Sequence, residues 1–382
     1  MKFGTSIKLG TFLSVFLFCL AVGYYAFTRL SIVDQNRNID LFSLVPADSK
    51  AVLESENVDA FLKEYSKLTY HAELKNIHFP DLFRFLVNQL NDYATANAHG
   101  LSSQMNHVLV SYHSPTESNN QVIYFRKGFA DEALLTNMLR EFSSNEFLVK
   151  KDTYRGENIL VYPLGNQDFL SIYSGEGFFA LSYQKSLIEK VIDTYLDETS
   201  VRENEQFASM AAKKKTPHYL TLYTRNTSLP FLKDKGEVRW CEYNFHVGSD
   251  VLFITGESIW PETSSRAMVE ESLKDIKTIV EKDVFISSNC DSIQYYMDMA
   301  QEDCEGKDLV LYNECMAALS NEASFALVAN MGKIFKERER FYLYIPNFIM
   351  VNEETFRHFV LSTQLTFVED RPSCIWVLTY GR

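Results

Sequence analysis

The feature that most constrains this chain is an uncharged, apolar segment near its N-terminus, residues 9–27 (LGTFLSVFLFCLAVGYYAF). The segment has nineteen residues and no proline. As a helix it would be about 28 Å long, which matches the roughly 30 Å hydrocarbon core of a bilayer. The sequence therefore predicts one N-terminal transmembrane helix within an anchor of residues 1–30, with the rest of the chain on one side of a membrane.

The charges beside this segment predict its orientation. Lys2 and Lys8 precede it, and the first acidic residue of the chain is Asp34. Because basic flanks of a transmembrane helix stay in the cytoplasm, we expect a cytoplasmic N-terminus and a single pass through the inner membrane. Residues 31–382 would then be periplasmic, and the lipid bilayer would be the first partner of the chain, through residues 9–27.

Two alternatives to an uncleaved anchor stay open. A cleaved signal peptide has a shorter apolar core followed by a small-x-small site, whereas Ala21-Val22-Gly23 lies inside the apolar run. A lipoprotein signal needs a small residue before the cysteine, whereas Cys19 follows Phe18. Both comparisons favour an anchor that remains in the mature protein.

The composition of the remaining chain excludes two classes of protein. The chain is 46% hydrophobic and 14% aromatic, which is enough apolar surface for a packed core and argues against a disordered tail. The three charged residues before residue 31 are basic, so the exterior has 34 basic and 50 acidic residues and a net charge of −16. A strongly acidic exterior argues against nucleic acid as a partner.

The apolar periodicity predicts an α+β fold. After a polar linker at residues 31–43, a unit of strands followed by a helix recurs, with helices at about 131–142, 186–197 and 265–280. The predicted strands fall at 51–55, 107–112, 122–125, 147–152, 158–163, 168–173, 177–183 and 218–224, with a hairpin at 238–258. Repeated units of this kind predict antiparallel sheets with the helices packed on one sheet face.

The balance of predicted helices and strands changes after residue 262. A helix is predicted at 308–320, strands at 323–330 and 341–345, and a final hairpin that pairs 363–368 with 374–380. We therefore predict two exterior domains, an α+β domain of residues 44–262 and a smaller α+β domain of residues 263–382.

Three short stretches carry a resemblance to a known group of proteins. They are Leu44-Val45-Pro46 with Asp48, the Gly175-Glu176-Gly177 turn into Phe178–Ser182, and Pro346-Asn347-Phe348 with Gln364-Leu365. With the preceding anchor, they resemble a family of uncharacterised, membrane-anchored cell-envelope proteins of the Bacteroides group. The resemblance covers most of the exterior and implies an envelope location. This family has no assigned activity, so the resemblance implies no catalytic residue.

One motif matches an enzyme class in part. Ser182-Tyr183-Gln184-Lys185 is a Ser-x-x-Lys sequence at a strand-to-helix junction, where penicillin-binding enzymes and β-lactamases place their nucleophile. Those enzymes also carry a Lys-Thr-Gly strand, which this sequence lacks. Ser182 fits equally well as a residue that caps a helix, and we predict no catalytic residue from it.

Metal, cofactor and disulfide patterns are also missing from the sequence. His71 and His78 are seven residues apart, His107 and His113 are six apart, and no metal-binding or dinucleotide-binding motif occurs. An acidic run lacks the alternating oxygen ligands of a calcium loop; it consists of Asp298, Glu302, Asp303, Glu305 and Asp308. We predict neither a metal ion nor a cofactor. The odd number of exterior cysteines predicts buried free thiols at Cys241, Cys290, Cys304, Cys315 and Cys374.

Two functions remain from the sequence. The first is a non-catalytic binding or scaffold module of the envelope, whose partner is another protein or a polymer. The second is an envelope hydrolase with a site assembled from residues distant in the sequence. A pocket with converging serine, histidine or paired carboxylates would favour the enzyme, and an exposed apolar patch would favour the binding module.

Overall fold

The computed structural model describes residues 39–65, 67–74, 105–114, 120–128, 131–142, 148–164, 169–212, 220–225, 240–258, 265–288, 307–320, 322–368 and 371–381. Leu20, Val22 and Tyr24 are described as well, and each has a helical backbone and an exposed side chain. The rest of the predicted transmembrane segment lies outside the described residues. Within the described ranges, no helix has the length and apolar content that a membrane crossing requires.

A large antiparallel sheet dominates the described chain, and this confirms the predicted α+β class. Its strands are β1 (Ala51–Ser55), β2 (Val108–Tyr112), β3 (Gln121–Arg126), β4 (Lys150–Tyr154), β5 (Glu157–Pro163), β6 (Phe169–Gly175), β7 (Phe178–Ser182), β8 (Leu220–Thr224), β9 (Cys241–Val247), β10 (Val251–Ser258), β11 (Ile279–Glu281), β12 (Val284–Ser287), β13 (Phe325–Asn330), β14 (Phe359–Val368) and β15 (Arg371–Tyr380).

Short helices accompany the sheet. They are α1 (Val58–Tyr65), α2 (His71–Leu74), α3 (Asp131–Phe142), α4 (Lys185–Asp197), α5 (Glu205–Ala211), α6 (Ser265–Lys274), α7 (Lys307–Ala317), α8 (Met331–Lys336), α9 (Arg338–Phe341), α10 (Asn347–Met350) and α11 (Glu353–Phe356), with 3-10 turns η1 (Leu41–Leu44) and η2 (Val201–Glu203).

The strand order divides the sheet into two halves with the same connectivity, and it runs β11-β12-β13-β14-β15-β10-β9-β8-β1-β2-β3-β7-β6-β5-β4. In the first half, β1 to β3 form a meander, α3 follows, and a second meander returns so that β7 pairs with β3. In the second half, β8 to β10 form the meander, α6 follows, and β15 returns to pair with β10. The two halves meet at the antiparallel pair β1 and β8.

Helices cover both faces of this sheet, which corrects the prediction that they pack on one face. On the face that α3 covers, called the α3 face below, Leu135 and Leu139 of α3 pack with Ile123 and Phe125 of β3. On the opposite face, the α4 face, Ile188 of α4 packs with the alternate residues of β3. The α3 face also carries α1, α6 and α8 to α11, and the α4 face carries η1, η2, α5 and α7.

The reason for this difference is visible in the central strands. All three of Val108, Leu109 and Val110 in β2 are buried, and so are Val122 to Phe125 in β3. A continuous apolar run is typical of a strand that is buried on both faces, whereas a strand with one solvated face alternates apolar and polar residues. The prediction came from the repeated units of strands followed by a helix, and that repetition does not record on which face of the sheet each helix packs.

One predicted element after residue 262 is wrong, and another is longer than the structure shows. The predicted strand at 341–345 is the end of α9 followed by a turn, because Phe341 and Ile345 are buried at helical spacing while the intervening Tyr342 and Leu343 are exposed. The predicted helix at 265–280 ends at Lys274, and the β-branched residues that follow enter β11.

The packed structure begins before the predicted end of the linker at residue 43. Leu41 and Phe42 are buried, Asp40 caps η1 by accepting from the Phe42 N–H, and Arg202 pairs with Asp40 at 2.6 Å. The predicted domain boundary at residues 262–263 falls in a segment outside the described residues. Strands on its two sides, β10 and β15, pair over seven residues.

Candidate functional site

The residues of the Ser-x-x-Lys motif are each bound to other groups. Ser182 is buried at the end of β7, where its hydroxyl donates to the Gln121 carbonyl at 2.7 Å and accepts from the Gln184 N–H at 3.0 Å. The Lys185 ammonium lies 2.5 Å from Asp152 and 3.2 Å from Glu189. The hydrogen bonds that Lys185 donates to Asp152 and Glu189 raise the pKa of Lys185, which keeps this lysine protonated and unsuited to act as a base.

The structure brings together a serine, a histidine and an aspartate that the sequence did not point to as a group. Ser111 and His113 are two residues apart at the end of β2, and the Ser111 hydroxyl lies 2.9 Å from His113 Nε2. The other ring nitrogen, Nδ1, lies 3.6 Å from an Asp48 carboxylate oxygen, which is beyond hydrogen-bond distance. Lys190 of α4 pairs with the same carboxylate at 2.6 Å.

The surroundings of this group determine its chemistry. Ser111 is fully buried, and its hydroxyl also contacts the Tyr124 hydroxyl at 3.0 Å. Burial lowers the pKa of His113 to about 4, although the nearby Asp48 acts in the opposite direction. The imidazole is therefore neutral at pH 7 and could accept a proton from Ser111. A nucleophile must also reach its substrate, however, and the Ser111 hydroxyl is enclosed by protein.

A signal for Ser111 and His113 exists in the sequence. Side chains two residues apart on a strand lie on the same face, so Ser-x-His in a predicted strand places the two groups together. Asp48 could not be assigned in this way, because it lies in the turn before β1 and reaches His113 only through the pairing of β1 with β2.

A second polar cluster lies at the centre of the α4 face. Glu54 accepts from the Tyr223 hydroxyl at 3.2 Å and contacts His107 Nε2 at 2.9 Å. Two strands away, the Asn244 amide donates to Glu242 at 2.8 Å and accepts from the Thr221 hydroxyl at 2.9 Å. The side chains come from adjacent strands β1, β8 and β9, and from His107 just before β2. Tyr223 also belongs to the apolar cluster under α4, so the polar groups adjoin that cluster.

The chain also has an open cleft of about 410 Å³ where the ends of β14 and β15 meet α7. Its charged groups are of both signs, and the Arg357 guanidinium is held at 2.7 Å by Glu353. The cleft is lined by Asp250, Val310, Leu311, Glu314, Asn330, Arg357, His358, Phe359, Val360, Tyr380 and Gly381. None of these residues is a serine, threonine or cysteine, so the cleft offers no hydroxyl or thiol nucleophile of those kinds, although it holds the carboxylates of Asp250 and Glu314 and the imidazole of His358.

The remaining candidates from the sequence do not come together in the described ranges. No set of three or more His, Cys, Asp or Glu side chains there could hold a metal ion. His71 lies at the start of α2 and packs its ring against Tyr65. Cys241, Cys315 and Cys374 are buried, as predicted, and each is a thiol rather than half of a disulfide. Outside the described residues lie His78, Asp298, Glu302, Asp303, Glu305, Cys290 and Cys304, whereas the backbone of Asp308 belongs to α7.

An exposed apolar surface occurs at one corner of the sheet. Leu148 is 94% exposed and Phe169 is 53% exposed, and Val149 beside them is exposed as well. Leu148 precedes β4 by two residues, and continuing the register of β4 with β5 brings it opposite Pro163, which pairs with Phe169 on its other side, so Leu148 and Phe169 lie on the same face. We call Leu148 and Phe169, together with Val149, which alternates to the other face of the same corner, the corner surface.

The similarity between this chain and known proteins is low. No protein-family model and no curated protein matches the chain. Among solved structures, crystal form I of TP0453 aligns with a TM-score of 0.36 and 11% identity over 64% of this chain and 89% of that chain. Crystal form III of TP0453 gives a TM-score of 0.32 and 10% identity over 64% and 90%. A TM-score below 0.5 does not establish a common fold.

Proposed function

We propose that this protein is a non-catalytic binding module of the cell envelope, held in the inner membrane by residues 9–27. Its N-terminus is cytoplasmic, and residues 31–382 are periplasmic and recognise another envelope protein or a polymer. The membrane part of this proposal is supported by the length of the apolar segment and by the basic residues before it.

The observation that carries the binding role is the corner surface. Soluble proteins expose single apolar side chains routinely, but neighbouring large ones mark surfaces that another molecule covers. Leu148 and Phe169 are large, lie on one face and adjoin the end of the sheet, where a partner meets no covering helix from the described residues. A partner that buries them would gain about 25 cal/mol for each Å² of apolar area.

The hydrolase remains the second candidate because of the Ser111, His113 and Asp48 arrangement. A serine-directed fluorophosphonate probe tests it, with the Ser111→Ala variant as the control. For a binding module we expect no labelling, since the Ser111 hydroxyl is buried and bound to Tyr124. Labelling of the wild-type chain that disappears in Ser111→Ala, with the fold intact, would establish the hydrolase.

The orientation can be tested with reporters fused to the C-terminus. A reporter that is active only outside the cytoplasm is expected to be active, and one that is active only in the cytoplasm is expected to be silent. N-terminal sequencing of the mature protein should recover residues upstream of residue 24. The opposite reporter pattern, or a mature protein that begins near residue 24, would contradict the anchored topology.

The binding surface can be tested by photo-crosslinking in intact envelopes. Benzoylphenylalanine in place of Phe169 should give an adduct with a specific partner. The matched control is the same replacement at Tyr342, an aromatic residue that is 58% exposed and lies on a different part of the chain. Equal adducts at both positions, or none at Phe169, would remove the support for a binding surface at this corner.

A further inference from the structure

The two halves of the sheet differ at their outer edges. In the second half, β12 is buried at all four residues and its outer side is covered by β11. The strands that return to the centre of the sheet, β7 in the first half and β15 in the second, correspond to each other. When these two are counted as the first strands, β4 and β12 are the fourth strands outward in their halves, so β4 corresponds to β12. Within the described ranges no strand pairs with the outer side of β4. Among the described residues, the first half therefore has an open position where the second half has a strand.

The backbone of β4 is arranged to accept a strand at this position. Arg155 and Gly156, both with positive φ, form the two-residue turn between β4 and β5, so Tyr154 and Glu157 are the terminal hydrogen-bonded pair. Because hydrogen-bonding direction alternates along a strand, Lys150, Asp152 and Tyr154 bond to β5. The N–H and C=O groups of Lys151 point away from the sheet.

The charges of the edge specify the kind of strand that fits. Lys150 and Lys151 are exposed, and neither forms an ion pair within 4 Å with a described residue. Asp152, the one acidic residue of β4, is neutralised by Lys185. The edge therefore presents two positive charges beside the apolar side chains of Leu148 and Val149, and it is complementary to a strand with acidic residues followed by apolar ones.

A second copy of this chain does not satisfy this pattern. If two β4 strands paired around a twofold axis through their outward groups, Lys151 would face Lys151, or Asp152 would face Asp152, or Lys151 would face Arg155, depending on the register. Like charges directly opposite each other destabilise a sheet, and none of these registers places an acidic residue opposite Lys151, whereas a strand of another protein with an acidic residue at that position does.

We propose that β4 is a docking edge to which an extended, acidic segment of another protein adds as an antiparallel strand, in the way that β11 adds to β12. This inference rests on the proposed binding function and names the chemistry of its partner. Main-chain hydrogen bonds to Lys151 supply affinity, the two lysines select acidic residues, and the corner surface receives the apolar residues that follow.

The probe is the acetylated, amidated peptide TTEEVL, labelled for fluorescence anisotropy and added to the full chain in detergent micelles. In the antiparallel register its two glutamates lie opposite Lys151 and Lys150, and its last two residues lie opposite Val149 and Leu148. We expect saturable binding of TTEEVL and at least tenfold weaker binding of TTKKVL.

Substitutions at Lys151 separate the backbone contribution from the charge. Lys151→Ala removes the side chain, whereas Lys151→Pro also removes the outward N–H without touching the bonds to β5. We expect Lys151→Pro to bind TTEEVL at least tenfold more weakly than Lys151→Ala. The double variant Lys150→Glu, Lys151→Glu retains the N–H groups and should prefer TTKKVL. Unchanged thermal midpoints show that each variant is folded.

Three results would overturn the docking edge. The first is the absence of saturable binding of TTEEVL to the folded wild-type chain. The second is an affinity of Lys151→Pro for TTEEVL that lies within twofold of that of Lys151→Ala. The third is an unchanged peptide preference in the double glutamate variant. Each of these leaves the crosslinking at Phe169 unaffected, so a failed docking edge is distinguishable from a failed binding function.

Discussion

At the scale of single residues, the buried polar groups of the α4 face are held by specific partners. His113 is surrounded by Ser111 on its own strand, Asp48 in the preceding turn and Lys190 on α4. Burial lowers its pKa to about 4, so the folded protein holds a neutral imidazole at a position where the unfolded chain would bind a proton near pH 6.5. This difference makes stability depend on pH.

We predict that stability falls as the pH decreases from about 6.5 to about 4. In that interval the unfolded state binds one more proton at His113 than the folded state, and the full difference is on the order of 3 kcal/mol. Chemical denaturation at several pH values measures it. His113→Asn should flatten the dependence in this window, whereas Ser111→Ala should retain it because the imidazole stays buried. An equal slope in wild type and His113→Asn would contradict the assignment.

Gly256 is a second residue whose role follows from its contacts. It lies in β10 between Tyr243 and Cys374, and a Cβ placed on it would be 2.4 Å from the buried ring of Trp376. We therefore predict that Gly256→Ala lowers the free energy of unfolding by about 1–3 kcal/mol, since the ring has no free space to move into. In a Trp376→Phe background the same substitution should cost less, because the smaller ring leaves room. Fully additive losses would show that the contact is unimportant.

At the scale of elements, α4 illustrates a helix whose buried side was readable from spacing. Leu187, Ile188, Val191 and Ile192 recur at helical intervals within the predicted helix at 186–197, and all four are buried against the α4 face of the sheet. The helix ends at Glu198, which has a left-handed backbone. The register between helix and sheet is thus fixed by apolar residues rather than by its surface ion pairs.

We predict that Ile188→Ala lowers the free energy of unfolding by about 2–5 kcal/mol, the usual cost of a cavity in a packed core. Leu196→Ala, at an exposed position of the same helix, is the matched control and should change it by less than about 0.5 kcal/mol. Denaturant titration of both variants measures the difference. A loss below about 0.5 kcal/mol for Ile188→Ala would mean that α4 does not form the cover of this face.

At the scale of the whole molecule, the sheet links residues from both sides of the predicted domain boundary. The apolar cluster on the α3 face contains Cys241 and Ile254 from the first side and Trp376 and Leu378 from the second. The pairing of β10 with β15 adds a ladder of hydrogen bonds across the same boundary. Neither part can bury its share of this cluster alone.

We predict that a chain ending at residue 262 fails to unfold cooperatively and associates through the exposed edge of β10. The full chain in the same detergent is the control, with thermal denaturation and size-exclusion chromatography as the measurements. A monomeric 1–262 chain with a single cooperative transition would instead support the predicted boundary between residues 44–262 and 263–382.

The sequence by itself determined the local elements of this protein. The helical period of α4 and the two strands of the C-terminal hairpin depend on neighbours within a few residues, and both were visible in the apolar pattern. The tertiary structure alone decided the strand order, the pairing of β1 with β8 and of β10 with β15, and the meeting of Asp48 with His113. These contacts join residues far apart in the chain, and periodicity records which face of a strand is buried but not which strand lies beside it.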